Sequence, residues 1–248
     1  MNKKPVFAVI LAGGKGTRLN CTNIPKVLIN LNGRPMIRYV YDAVKNIASK
    51  IIIITGFCGE KINKEMKNEP VEFAHQAEQL GTAHALAQAQ KILRGKNGIT
   101  LVVNGDGPLF TSGVFQELID EMRSGKYTLV FSSVVEDKHP AYGRITRDKN
   151  GKVTGIVEAK DATAEQEDIK EKNVGIYAID NTWLWSALKK VSKSNISGEY
   201  YITDLVKIAL DEGKNIEAVK TTNQNIIKGI NTPEELKEVE SIISNLSN

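Results

Sequence analysis

Three short apolar runs constrain this chain more than anything else in it: Val6–Leu11, Ile51–Ile54 and Ile99–Val103. None alternates with polar residues. Each is continuous and rich in β-branched side chains, as strands are when both faces of their sheet are covered. Helices supply that cover, and the segments between the runs have helical period. Met36, Val40, Val44 and Ile47 recur behind Pro35, which suits a first helical turn. An Ala-rich stretch from Thr82 to Leu93 reads as one helix capped by the Thr82 hydroxyl. Strands alternating with helices are βαβ units, which predicts an α/β fold on a Rossmann-like, mostly parallel central sheet flanked by helices.

The second half changes character. Tyr127–Val135 reads as a strand, and Gly143–Ile145 and Val153–Val157 flank Asp148-Lys149-Asn150-Gly151, the mark of an inserted antiparallel hairpin. Asn173–Ile179 is a further strand with a helix after it, and Glu199–Leu210 carries Ile202, Leu205, Val206 and Ala209 on one helical face. The last helix has Thr232 as cap, Pro233 in its first turn, Glu235 completing a capping box, and a stripe of Leu236, Val239, Ile243 and Leu246. No Pro/Ser-rich linker divides the chain. The expected organisation is a single domain over 1–248, with lobes 1–110 and 111–228 and a terminal helix at 233–246.

Composition removes several classes of function. Lys and Arg exceed Asp and Glu by 33 − 29 = +4, enough for anionic ligands, but the acidic residues are scattered through the basic ones and leave no nucleic-acid stripe. Two cysteines, Cys21 and Cys58, make neither a disulfide framework nor a four-cysteine zinc site, and His75, His84 and His139 stand in no metal-ligand spacing. The apolar runs are too short to span a bilayer, and the first one enters a glycine cluster rather than a cleavage site. A cytoplasmic protein without a membrane partner is expected.

That glycine cluster, Leu11-Ala12-Gly13-Gly14-Lys15-Gly16-Thr17-Arg18, follows the first strand directly. Glycines let a backbone bend sharply and press unhindered amides against an anion, and Lys15 and Arg18 add positive charge. A plain turn at a strand end is the simpler reading. The order of residues is not a Walker loop, which needs an earlier glycine ahead of its Gly-Lys pair and a Ser or Thr directly after it, where Gly16 stands. Nor is it a dinucleotide fingerprint, which needs a glycine where Leu19 stands and an acidic residue after the second strand, where Thr55-Gly56-Phe57 occurs. No Gly-x-Ser-x-Gly elbow offers a covalent nucleophile.

With Pro25-Lys26-Val27-Leu28 after it, the loop resembles the signature of the sugar-nucleotide pyrophosphorylases, nucleotidyltransferases that join sugar 1-phosphates to nucleoside triphosphates. Gln76-x-x-Gln79-Leu80-Gly81-Thr82-Ala83-His84-Ala85 is similar to the uridine-recognition segment of bacterial N-acetylglucosamine-1-phosphate uridyltransferases. So are Gly105-Asp106, Tyr142-Gly143-Arg144-Ile145, Gly155-Ile156-Val157-Glu158 with Lys160-Asp161-Ala162, and Asn173-x-Gly175-Ile176-Tyr177. Gly198-Glu199-Tyr200-Tyr201-Ile202-Thr203-Asp204 and Gly229-Ile230-Asn231 close the series, which runs from residue 6 to about 240.

The resemblance implies a nucleotide-binding first lobe and a sugar-binding second lobe. Leu11, Ala12, Gly13, Gly14, Gly16 and Thr17 would line the nucleotide, with Arg18 and Lys26 as catalytic cations on its phosphates. Gln76, Gly81 and Thr82 would meet the base, and Gly143, Glu158, Asn173 and Thr203 the sugar. Asp106, which also reads as a turn residue between glycines, would hold Mg²⁺ together with Asn231. The implied reaction is Mg²⁺-dependent: UTP and N-acetylglucosamine 1-phosphate give UDP-N-acetylglucosamine and pyrophosphate by direct in-line attack. Alternatives are transfer to glucose 1-phosphate, another sugar phosphate or phosphocholine, and a non-catalytic sugar-nucleotide sensor. Asn104, Ala83 and Lys228 depart from the residues expected beside key positions. The chain ends at Asn248 before any hexapeptide repeat, so no acetyltransferase domain and a monomer or weak dimer are expected.

Overall fold

The three apolar runs lie side by side, and everything else is arranged around them. The computed structural model describes residues 3–14, 16, 23–137, 142–194, 197–230 and 232–246. Its strands are β1 (Val6–Ala12), β2 (Asn30–Leu31), β3 (Arg34–Pro35), β4 (Lys50–Thr55), β5 (Glu72–His75), β6 (Ile99–Asn104), β7 (Leu129–Val135), β8 (Arg144–Arg147), β9 (Val153–Val157), β10 (Glu171–Asp180) and β11 (Ile216–Lys220). Its α-helices are α1 (Met36–Lys45), α2 (Gly59–Glu65), α3 (Thr82–Ala87), α4 (Gln90–Leu93), α5 (Ser112–Arg123), α6 (Ala164–Glu167), α7 (Asn181–Leu188), α8 (Asp204–Asp211) and α9 (Pro233–Leu246).

The main sheet runs β11-β7-β10-β6-β1-β4-β5. β1 is parallel to both β4 and β6, β4 to β5, and β7 to β11; β10 is antiparallel to both of its neighbours. The sheet is therefore mixed but mostly parallel, as expected. The β8–β9 hairpin joins it through the single pair Arg144–Lys172, and β2 and β3 form a separate two-stranded antiparallel sheet.

The period of two along β1 sorts its side chains onto two faces. Val6, Ala8, Ile10 and Ala12 pack with Val40 and Val44 of α1, Ile62 of α2 and Phe115 and Leu118 of α5. Phe7 and Val9 face the other way, onto Leu86 of α3, Leu93 of α4, Leu184 of α7 and Leu205 of α8. α9 covers a smaller core of Leu31, Met36, Leu109 and Ile230, and its start is the predicted capping box: Thr232 Oγ1 accepts from Glu235 N–H while Glu235 Oε2 accepts from Thr232 N–H. Among the described residues no helix is long and apolar enough to cross a membrane.

Several local expectations are corrected. Pro35 is the N-cap of α1 rather than part of its first turn. The single helix expected over Thr82–Leu93 is two, α3 and α4, and its cap position belongs to Gly81 at φ +106°. The Thr82 hydroxyl accepts instead from the Ile202 N–H, 3.0 Å away, because a long-range partner competes for it. Only the C-terminal part of Glu199–Leu210 is helical, from Asp204, since residues 200–202 are drawn out to dock beside Leu80–Ala83.

Asn181 shows how the layers are tied at the opposite end of the sheet. Its side chain is fully buried; Oδ1 accepts from Thr100 Oγ1 at 2.7 Å, and Nδ2 donates to the carbonyls of Leu93 at 2.9 Å and Lys96 at 2.7 Å. Asn181→Ala would remove three hydrogen bonds and leave the buried Thr100 hydroxyl without this partner. We expect it to cost about 2–4 kcal/mol, read as a lower urea midpoint at unchanged m.

Candidate active site

Parallel sheets bind ligands beyond the carboxyl ends of their strands, where the strand order reverses. Here that point lies between β1 and β6, since β4 and β5 follow β1 on one side and β6 returns on the other. The backbones converge tightly just past the strand ends. Gly105 N–H donates to the Leu11 carbonyl at 2.8 Å and Phe57 N–H to the Gly13 carbonyl at 3.2 Å. A Cβ on Gly56 would sit 2.6 Å from that Gly13 oxygen and 2.9 Å from Gly13 Cα, so backbone packs directly on backbone.

Above this junction opens a cleft of about 500 Å³. Leu11, Ala12, Gly13, Gly14, Gly16, Lys26, Gln76, Gly81, Thr82 and Asp106 all line it, which is every residue expected there on the nucleotide side that the structure describes. Lys26 begins a 3₁₀ turn after the extended Pro25. Its stem runs against Gly16, where a Cβ would come within 2.6 Å of Lys26 Cβ. Its ammonium donates to Asp106 Oδ2 at 2.6 Å, with the lysine side chain 16% exposed and the aspartate 36%. On the far wall Gln76 is buried at 3% exposure, held through its amide nitrogen to the Gly81 carbonyl.

A side chamber of about 210 Å³ joins the cleft at Leu11, Thr82 and Asn104, and Gly143, Glu158, Asn173 and Thr203 line it together. Glu158 Oε1 accepts from the Thr203 hydroxyl at 2.6 Å. Burial raises the Glu158 carboxyl above the usual range; the Thr203 bond opposes this, while the charges of Asp161, Asp204 and Glu199 reinforce it. Asn173 is already engaged: Oδ1 accepts from Gly175 N–H at 3.1 Å and Nδ2 donates to the Tyr177 hydroxyl at 2.7 Å. The arrangement follows from a bulge in β10 between Asn173 and Tyr177. One amide hydrogen and one lone pair remain for a ligand.

Three site residues were not picked out by sequence. Tyr142 lines the side chamber, donates to the Ile227 carbonyl at 2.6 Å, and is pushed up to about 12 by burial, with the charges of Asp106 and Glu235 adding. Tyr177, completely buried, has its hydroxyl proton held still more firmly by desolvation. Glu199 reaches the main cleft from the segment docked on Gly81. The two tyrosines sit inside quoted motifs, but nothing in their spacing separates a chamber wall from a core aromatic. Thr17, Arg18 and Asn231 lie outside the described residues.

Among the described residues no three His, Cys, Asp or Glu groups come together to hold a metal ion. Asp106 stands at the cleft with a cation, the Lys26 ammonium, already on one oxygen. Such a donor set fits a hard ion that takes one or two protein oxygens and completes its shell with phosphate and water. It does not fit a metal caged by protein.

The raised Glu158 carboxyl makes stability depend on pH in a definite direction. Because its folded pKa lies above the unfolded one, the burial penalty is present in full at high pH and disappears as pH falls through the folded value toward the unfolded one. Glu158→Gln keeps an acceptor for Thr203 and removes the charge. It should resist urea better than the parent at neutral and alkaline pH, with the advantage vanishing near the ordinary carboxylate range of about 4.

Comparison with known proteins bears on this site. A family model described as nucleotidyl transferase matches residues 7–225. Proteins named bifunctional protein GlmU from Bacillus cereus (strain AH187), Bacillus mycoides (strain KBAB4) and Bacillus thuringiensis (strain Al Hakam) are each 41% identical over 245 residues, 98% of this chain and 52% of theirs. The chain therefore spans about half the length of the curated relatives it matches. The family match begins in β1 and continues past β11, through the glycine turn, both walls of the cleft and the side chamber, and on that ground the chain belongs to the nucleotidyl transferase family of enzymes.

Proposed function

We propose that this nucleotidyltransferase is a uridylyltransferase that joins UTP to N-acetylglucosamine 1-phosphate, releasing pyrophosphate and forming UDP-N-acetylglucosamine. The observation that carries this reading is the continuity of the cleft. A glycine-lined pocket with a lysine–aspartate pair opens, through Leu11, Thr82 and Asn104, into a chamber lined by Glu158, Thr203 and Asn173. A triphosphate and a sugar phosphate entering from the two sides would meet at that opening. The likeness to the bifunctional GlmU proteins over 98% of the chain supports the same substrates.

In this reading a phosphate oxygen of the sugar phosphate attacks the α-phosphorus of UTP in line with the bond to the β-phosphate, and that bond breaks to release pyrophosphate. Such transfer demands alignment and charge neutralisation rather than a covalent nucleophile. Amides of the glycine turn cradle phosphate oxygens. The Lys26 ammonium, partly desolvated beside Asp106, would meet the charge that builds on the departing pyrophosphate, and Arg18 is assigned the same task. Glu158, held by Thr203, accepts from sugar hydroxyls, and the free valences of Asn173 serve a hydroxyl or the acetamido group. Among the described lining residues one lysine faces two carboxylates, Asp106 and Glu199, so a polyanion needs a further cation. Mg²⁺ held by Asp106 and Asn231 would supply it, lowering the charge on the triphosphate.

The test is pyrophosphate release from a matrix of nucleoside triphosphates and sugar 1-phosphates. Turnover should be highest with UTP and N-acetylglucosamine 1-phosphate, lower with glucose 1-phosphate, and lowest with purine triphosphates, whose bases need more room. Equal turnover with ATP and UTP overturns the uridine assignment. Lys26→Ala should lower kcat/KM by roughly 10²–10³, about 2.7–4 kcal/mol, with the protein still folded. Asp106→Asn keeps the shape and removes the charge, so a Mg²⁺ titration of turnover should move to higher concentration; excess EDTA should abolish turnover of the parent enzyme.

A further inference from the structure

The side chain on the base wall is not free to turn. Gln76 has two amide hydrogens, and both are spent inside the protein. Nε2 donates to the Gly81 carbonyl at 3.1 Å and lies 3.1 Å from Nδ1 of His84. A backbone carbonyl only accepts, so the nitrogen end of the amide must face this side, and His84 Nδ1 must then offer its lone pair. The imidazole has one such pair to give. The Gln76 contact takes it over the approach of Gln88 Nε2 to the other ring nitrogen, because 3.1 Å is an ordinary hydrogen-bond length and 3.4 Å is not. His84 therefore carries its proton on Nε2.

The consequence falls on the cleft. With both hydrogens used, Gln76 can present only Oε1. That oxygen faces the glycine turn, where a Cβ on Gly13 would come within 2.7 Å of it. Gln76 and Gly13 both line the cleft. An oxygen without an accompanying N–H accepts from a ring N–H, which uracil has at N3. Cytosine has a lone pair there, so the two would repel.

We infer that His84 is a positioning residue for base selection: by accepting from Gln76 it locks the amide with its oxygen toward the cleft, and so makes the site choose a base bearing a ring N–H over one bearing a bare ring nitrogen. This rests on the uridine reading above and adds the residue that enforces it. His84 touches no reacting atom, and its effect belongs in binding of the base rather than in the chemical step.

Two measurements test it. The first compares kcat/KM for UTP and CTP in the parent, His84→Ala and His84→Asn. His84→Ala should lower the UTP/CTP ratio by roughly tenfold, mainly through a higher KM for UTP with kcat little changed, the size expected for loss of one of two restraints on the amide. In His84→Asn the side-chain oxygen stands near the place of Nδ1 and should restore most of the ratio. A ratio unchanged in His84→Ala, or an asparagine variant as impaired as the alanine one, overturns the inference. The second reads the ring directly in a long-range ¹H–¹⁵N spectrum of the labelled protein at about pH 8. With three histidines in the chain, His75→Gln and His139→Gln variants assign the signals. His84 should show an unprotonated Nδ1 and a protonated Nε2; the reverse overturns the inference whatever the nucleotide preference. A parent enzyme that does not prefer UTP overturns the uridine reading itself, and the tautomer measurement separates that failure from this one.

Discussion

Residues some 120 positions apart are joined at one short backbone seam, and the site depends on it. Tyr200 N–H donates to the Leu80 carbonyl at 2.8 Å, Ala83 N–H to the Tyr200 carbonyl at 3.0 Å, and Ile202 N–H to the Thr82 hydroxyl at 3.0 Å. A Cβ on Gly81 would stand 2.5 Å from the Tyr200 oxygen, and the +106° φ there is one that side chains rarely tolerate. Each bond contributes only about 1 kcal/mol net. Their importance is geometric. They hold the wall carrying Gln76 against the segment carrying Thr203, so that cleft and chamber open into each other. A shift of about 1 Å in such a relation costs around 10²-fold in reactions that depend on alignment.

Electrostatics is arranged around the same opening in two unequal halves. In the main cleft a lysine and an aspartate neutralise each other at 2.6 Å, both partly screened from water. Around the side chamber carboxylates gather instead: Glu158 and Asp204 are both raised by burial, and Asp161 raises each of them further. The proposed transfer would gain from the first arrangement, because charge that appears on a leaving group is met by donors already in place. The second suits the hydroxyl-bearing part of a ligand rather than its charged end.

Asn173 and Thr82 show how tertiary contacts constrain short polar side chains in ways a local reading does not foresee. Both were expected to use their side chains in the simplest available way, one on a ligand and the other on the first turn of its helix. In the fold Asn173 is braced by Gly175 and Tyr177 before any ligand arrives, and Thr82 spends its hydroxyl on Ile202. Short polar side chains satisfy whichever backbone group the chain brings within reach, and the competitor comes from a segment far away in sequence.

The sequence by itself determined the central strands, because runs such as Ile51–Ile54 can be buried on both faces only inside a covered sheet, and it determined the turn chemistry at their ends. It also held the residues of the cleft, since Gly14, Lys26, Gln76 and Asp106 sit at spacings that a motif records. Tertiary structure alone decided that β10 runs antiparallel between β6 and β7, that the Ala-rich segment breaks into two helices, and that Tyr142 and Tyr177 wall the side chamber. It alone turned the Gln76 amide toward His84. The physical reason is range. Periodicity and turn residues act over a few positions, whereas strand order, amide orientation and the partner of a buried hydroxyl are settled by contacts between residues that only folding brings together.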